Sequence, residues 1–182
     1  LWPEHFTAED NARLPAEELL LVQKDDNFGW PYCYYDPFQD KRVLAPEYGG
    51  DGEEVGRCGG YKEPLIGFPG HWAPNGLMFY TGSQFPEKYH GGAFIAFHGS
   101  WNRAPLQQQG YKVVYVPFDG TRPAADDYEV FANNFAGTGE INSPRDARWR
   151  PMGLAQGPDG SLYMSETQDG RIWRVVYNPR GQ

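Results

Sequence analysis

The hexapeptide Trp72-Ala73-Pro74-Asn75-Gly76-Leu77 returns 77 residues later as Trp149-Arg150-Pro151-Met152-Gly153-Leu154. Each copy opens the same series. A glycine turn follows, then a strand of small and apolar residues, another glycine, and a strand led by a cation. The cation-led strands are Lys112-Val113-Val114-Tyr115-Val116 and Arg171-Ile172-Trp173-Arg174-Val175. A repeat at such a period marks one supersecondary unit, stacked so that each copy buries its apolar face on the next. The first copy predicts four strands, at 76–80, 93–98, 112–118 and 128–131. The second predicts three, at 152–155, 161–165 and 171–177. Four antiparallel strands in a tandem meander make a propeller blade. The expected fold is therefore all-β and a portion of a β-propeller. Residues 1–64 form a partial blade with a long loop, 65–135 a full blade, and 148–177 an open last blade lacking its outer strand. A free-standing β-sandwich of about seven strands is the competing architecture.

One full, one open and one partial blade do not close a ring. The chain, whose first residue is Leu, is thus expected to be the C-terminal half of a larger propeller, or to pair with a second copy or another polypeptide. Composition agrees: 23 glycines, 16 prolines and 16% aromatic residues suit short strands and many turns rather than long helices. A net charge of −8 argues against nucleic acid or an anionic membrane as partner. No apolar run approaches the ~20 residues of a membrane span.

Before the repeat the signals are weaker. Residues 4–16 are polar and suit a helical turn, and Glu18-Leu19-Leu20-Leu21-Val22 reads as a buried strand. Residues 33–63 form a glycine- and charge-rich excursion that holds both cysteines, Cys33 and Cys58. A staple across a loop of about 25 residues contributes roughly 3–4 kcal/mol in the chain-entropy model. A disulfide is therefore expected, and with it an oxidising compartment; two thiols in a reducing cytosol are the alternative.

In a propeller, the loops leading into the first strand and those joining the second to the third share one face. Here these are His71-Trp72-Ala73 and Arg148-Trp149-Arg150, with His98 to Arg103 and Glu166 to Asp169. Three arginines, two histidines and three tryptophans then converge on one rim. Arginine forks beside aromatic planes suit a flat ligand with several carboxylates. The plainer reading leaves Arg148 and Arg150 solvated and the histidines bonded within their loops. No Gly-x-Ser-x-Gly elbow and no phosphate-binding glycine loop is present.

Four blocks carry a family resemblance: Asn27-Phe28-Gly29-Trp30-Pro31, His71 through Gly82, Phe97 through Arg103, and Arg150 through Tyr163. Together they resemble the glucose/sorbosone dehydrogenase family, nearest to its L-sorbosone dehydrogenase-like proteins. The resemblance implies a six-bladed propeller, periplasmic or secreted, that oxidises sugars or sugar aldehydes with pyrroloquinoline quinone and Ca²⁺. It implies that Arg148 and Arg150 bind the quinone's carboxylates. His71 falls where relatives place a cofactor-contacting threonine. Ser100 falls near a cofactor-binding lysine, which Asn102 or Arg103 would replace. The resemblance also implies a calcium site of Glu18, the Phe28 carbonyl and Asp36, all oxygen donors suited to Ca²⁺. The family's catalytic histidine lies in the N-terminal half, so no catalytic residue is expected here. Arg171 and Arg180 are expected to lie away from the cofactor. Two other readings remain: a non-catalytic propeller module that binds a protein or carbohydrate through its rim, and a propeller hydrolase with a metal in its channel.

Overall fold

A computed structural model describes residues 4–137 and 139–179; Arg180 lies outside the described residues. One short helix, α1 (Ala8–Arg13), is closed at its start by a Thr7–Asp10 capping box, which satisfies two of the orphan N–H groups at its N-terminus. The strands that follow are short: β1 (Glu17–Leu19), β2 (Cys33–Asp36), β3 (Lys41–Leu44), β4 (Ile66–Phe68), β5 (Pro74–Phe79), β6 (Ala93–Phe97), β7 (Lys112–Val116), β8 (Phe118–Asp119), β9 (Arg122–Pro123), β10 (Glu129–Ala132), β11 (Pro151–Gln156), β12 (Leu162–Glu166) and β13 (Ile172–Val175).

These strands form small antiparallel sheets. One has four strands in the order β10-β7-β6-β5, and another has three in the order β11-β12-β13. β1 pairs with β4, β2 with β3, and β8 with β9. The four-stranded sheet is sandwiched. Its residues Phe94, Ala96, Val113 and Tyr115 face Leu162 and Met164 of the three-stranded sheet. Ile95, Phe97, Val114 and Val116 face Leu19, Ile66 and Phe68 of the β1–β4 pair. That explains why β6 reads Ala-Phe-Ile-Ala-Phe without polar alternation: both of its faces are covered, and all five residues are buried.

The repeat is visible in the register. Pro74 pairs with Phe97 and Pro151 with Glu166, and each pairing is followed by an irregularity before the ladder resumes. The inner strands β5 and β11 touch. A Cβ on Gly76 would lie 2.5 Å from the Met152 carbonyl oxygen, so no larger residue fits there without displacing β11.

Two sequence expectations change before residue 65. The strand from Glu18 stops at Leu19, and Val22 is 70% exposed, because only Glu17–Leu19 meets a partner, Ile66–Phe68. The excursion at 33–63 contains a hairpin, β2–β3, whose residues Tyr34, Tyr35, Val43 and Leu44 are buried. Cys33 and Cys58 form a disulfide with Cα atoms 5.9 Å apart, in a small apolar cluster with Leu44, Val55 and Tyr61.

Candidate functional site

The loops preceding β5 and β11 and following β6 and β12 lie at one end of the two larger sheets, tied by backbone bonds. His98 N donates to Ala73 O at 2.8 Å, Gly99 N to Trp72 O at 3.0 Å, and Thr167 N to Arg150 O at 3.2 Å. Arg150 bridges the sheets: its Nε donates to His98 O at 3.2 Å and its Nη2 to Gly99 O at 2.8 Å. The His98 ring meets the Thr167 hydroxyl at 2.8 Å. Burial pushes His98 below its usual value, and the Arg150 cation adds to the effect.

His71 and Ala73 have φ of +66° and +57°, a left-handed region costly for residues with a Cβ. Their surroundings hold them there. Ala73 N donates to Glu17 Oε1 at 3.1 Å. His71 Nε2 meets the Asn11 carbonyl at 2.8 Å, and Asn102 Nδ2 meets His71 Nδ1 at 3.3 Å. Both ring nitrogens of His71 are thus engaged by neighbouring loops. Burial pushes Glu17 up, against the Ala73 N–H and the nearby His71.

Ser100 and Arg103, expected on the rim, lie beneath it. Ser100 is fully buried; its hydroxyl donates to Gln108 Oε1 and accepts from Gln109 N, both at 2.8 Å. Arg103 is 5% exposed and donates to Gly70 O at 2.9 Å and Gln107 O at 3.2 Å. Burial pushes its guanidinium below its usual value, helped by Arg13. Both residues stitch the long 98–110 loop together, which is why a polar, glycine-flanked run holds one shape.

Arg148 is exposed, with its guanidinium 4.1 Å from the centre of the Trp149 ring. Arg171 lies 5.1 Å from the same ring. Among the described residues neither Arg148 nor Arg150 is in an ion pair, whereas Arg171 has Asp169 at 3.7 Å. The sequence places Thr167 in a rim loop and Lys112 at the head of a strand but assigns neither a role, and it singles out no role for Glu17. Lys112 places its Nζ 4.2 Å from the Trp72 ring centre, and burial pulls it below its usual value. The repeat aligns Lys112 with Arg171, and so could have paired each cation with its tryptophan.

The expected calcium ligands do not fit a cation. Arg42, with 2% of its side chain exposed, donates Nη2 to Glu18 Oε2 at 2.6 Å and Nη1 to Glu18 Oε1 at 3.4 Å. Asp36 accepts from Phe38 N at 2.8 Å, Gln39 N at 3.2 Å and Gln39 Nε2 at 2.6 Å. Phe28 sits in a turn held by Gly29 N donating to Asn27 Oδ1 at 2.8 Å. Among the described residues no three acidic, histidine or cysteine side chains are grouped to hold a metal.

A pyrroloquinoline quinone-dependent pyranose dehydrogenase of Coprinopsis cinerea is 30% identical over 196 residues, taking in 88% of this chain and 25% of that protein. The holo pyranose dehydrogenase PQQ domain from the same organism superposes with a TM-score of 0.63 at 23% identity, over 92% of this chain and 45% of that one. The calcium structure of a Trichoderma reesei carbohydrate-active enzyme of family AA12 gives 0.63 at 23%, over 89% and 43%. The chain thus spans under half the length of these proteins, and its sheets match part of a propeller-fold dehydrogenase. The model described as TrAA12-like matches residues 8–178, nearly the whole chain. From the repeat, the stacked sheets and that match, the chain belongs to the TrAA12-like family.

Proposed function

We propose that this chain forms one side of the quinone pocket of a sugar or sugar-aldehyde dehydrogenase. The observation that carries the reading is a pair of arginines without carboxylate partners among the described residues, on one rim of a chain of net charge −8. Cations left without counter-charge in such a chain suit a polyanionic ligand. Arg148 receives a carboxylate and the Trp149 plane supports it. Arg150, anchored on His98 O and Gly99 O, holds the two loops in register and keeps Nη1 for the ligand. His71 and Asn102 fix the neighbouring loop. When bound, pyrroloquinoline quinone supplies the two-electron acceptor that a sugar's C1 requires. No calcium ligand is assigned to these residues.

The remainder of the reading concerns context. Residues 65–135 and 148–177 correspond to a full and an open blade of a six-bladed ring, with 1–64 a partial one. The rest of the ring comes from outside these residues. The disulfide supports a periplasmic or secreted location, and no helix among the described residues is long and apolar enough to cross a membrane.

The test is a quinone titration of the protein carrying its complete ring. Arg148→Ala should weaken affinity about 30-fold or more, because truncating one member of a desolvated charge pair typically costs ~2–5 kcal/mol. Arg122→Ala, on the β8–β9 hairpin away from these loops, should leave affinity unchanged. Equal affinity in wild type and Arg148→Ala would sink the cradle. No quinone binding at all would favour a rim that binds a protein or carbohydrate. The 182-residue chain alone should show no sustained sugar oxidation with added quinone.

A further inference from the structure

Asn75-Gly76 is the single asparagine–glycine pair in the sequence; every other asparagine precedes a larger residue. In such a pair the next backbone nitrogen reaches the asparagine side-chain carbonyl carbon with no Cβ in its way. The fold puts this pair where β5 and β11 meet. Asn75 Nδ2 donates to Met152 Sδ at 3.0 Å, and a Cβ on Gly76 would lie 2.5 Å from the Met152 carbonyl oxygen.

The native sheet leaves the pair open to reaction. Asn75 is exposed. It is also the extra residue of a bulge. Pro74 pairs with Phe97 and Gly76 with Ala96, so Asn75 has no partner on β6 and its backbone escapes the regular ladder. A cavity of about 230 Å³, walled in part by Pro74, Asn75 and Gly76, brings water to the site. The bond that holds the amide ends on a thioether sulfur, a weak acceptor. The second copy of the repeat keeps the glycine and the irregular register but has Met152 in place of the asparagine.

We propose that Asn75 is a site of spontaneous deamidation in the folded protein, and that its isoaspartyl product opens the seam between β5 and β11. The Gly76 amide nitrogen bonds to Asn75 Cγ. The Cγ–Nδ2 bond breaks, and ammonia leaves with the proton that the Gly76 nitrogen gave up. Water then opens the resulting succinimide. Opening at one carbonyl gives aspartate; opening at the other gives isoaspartate, whose main chain runs through the former side-chain methylene. Isoaspartate thus lengthens β5 by one methylene directly before Gly76, where not even a methyl fits. Either product also replaces the N–H donor on Met152 Sδ with a carboxylate that has nothing to donate. Both changes press β5 away from β11. The inference is independent of the quinone reading, because it concerns the seam whatever the sheets bind.

The test is incubation in mildly alkaline buffer of the protein carrying its complete ring, once folded and once in guanidinium. Peptide mapping and methylation by an L-isoaspartyl methyltransferase read the product. In the folded protein Asn75 should convert at least 10-fold faster than any other asparagine of these residues, and within about 30-fold of its own unfolded rate. Backbone hydrogen exchange at 152–154 should run about 10-fold or more faster in the isoaspartyl fraction than in fresh protein. Asn75→Gln, which would have to close a larger ring, should show neither change after the same incubation. A folded rate more than about 30-fold below the unfolded one would mean that the strand protects the amide, and overturns the proposal. So does conversion that leaves exchange at 152–154 unchanged, since the seam would then tolerate the product. Equal acceleration of exchange in incubated Asn75→Gln would trace the effect to another residue and overturn it as well.

Discussion

The four-stranded and three-stranded sheets start from nearly the same hexapeptide and reach different states of completion. Phe97 and Glu166 occupy matching places, each opposite the proline that opens its sheet. Phe97 is buried between Phe68 and Trp72. Glu166 is also buried, at 4% exposure, but by polar means: its carboxylate accepts from Gln168 N at 2.6 Å, Asp169 N at 3.0 Å and Arg171 N at 2.8 Å. The same strand grammar can thus close a corner with a ring or with a carboxylate. Phe97 packs on rings of the layer beside it, whereas the Glu166 carboxylate is satisfied by the backbone of its own turn.

Core substitutions should separate the sheets most sharply. Phe94 is fully buried and packs against Tyr80, Phe85, Tyr89, Tyr115 and Phe131. Phe94→Ala should cost about 3–5 kcal/mol in urea unfolding. Its counterpart Tyr163 lies on the open face, and Tyr163→Ala should cost about 1 kcal/mol or less. Equal costs would mean that the open face is covered in solution.

Glu166→Gln comes next, at roughly 1–3 kcal/mol, because three backbone donors lose a charged acceptor. Burial works to raise this carboxyl, but the N–H groups outweigh it and hold it below its usual value. A carboxyl lowered on folding stabilises fully above its unfolded value, near 4.3. That stability disappears as pH falls through the folded value. The gap between wild type and Glu166→Gln should therefore be open at pH 7 and close on acidification below about pH 4. A gap that persists unchanged at pH 2 would show the carboxylate's charge to be irrelevant.

The smallest effects concern the two cation–tryptophan pairs. Arg171→Met should cost about 0.5 kcal/mol, the worth of an exposed pair. Lys112 is more deeply placed, and burial lowers its affinity for a proton. The unfolded chain then holds more protons than the folded one between the folded value and the unfolded ~10.4. Wild-type stability should rise slightly with pH across that window, and Lys112→Met should abolish the rise. An identical alkaline profile for the two proteins would dismiss the effect.

How much of this could be read from the sequence depended on distance along the chain. The strands of both sheets were legible because each is a short apolar run between glycines, paired with a neighbour close in sequence. The β1–β4 pairing was not, since Leu19 meets Ile66 across the whole disulfide loop. The surroundings of Glu18 were hidden for the same reason. Glu18 looked available because Arg42, which claims it, is remote in sequence and adjacent only in space. Ser100 and Arg103 were legible as polar loop residues but not as interior ones. Their burial depends on Gln108 and Gly70, which no spacing rule connects to them.

Gly76 has a geometric role larger than its size. With β5 and β11 in contact at that point, the two sheets meet at their inner edges and part toward their outer ones, like neighbouring stones of an arch. The hydrogen that stands in place of a side chain at Gly76 fixes how near the narrow ends come, and hence the angle of the wedge. An added methyl would force the narrow ends apart and flatten that angle. Curvature is cumulative in any structure made of such wedges, so one methyl at this point shifts the setting of every sheet stacked beyond it.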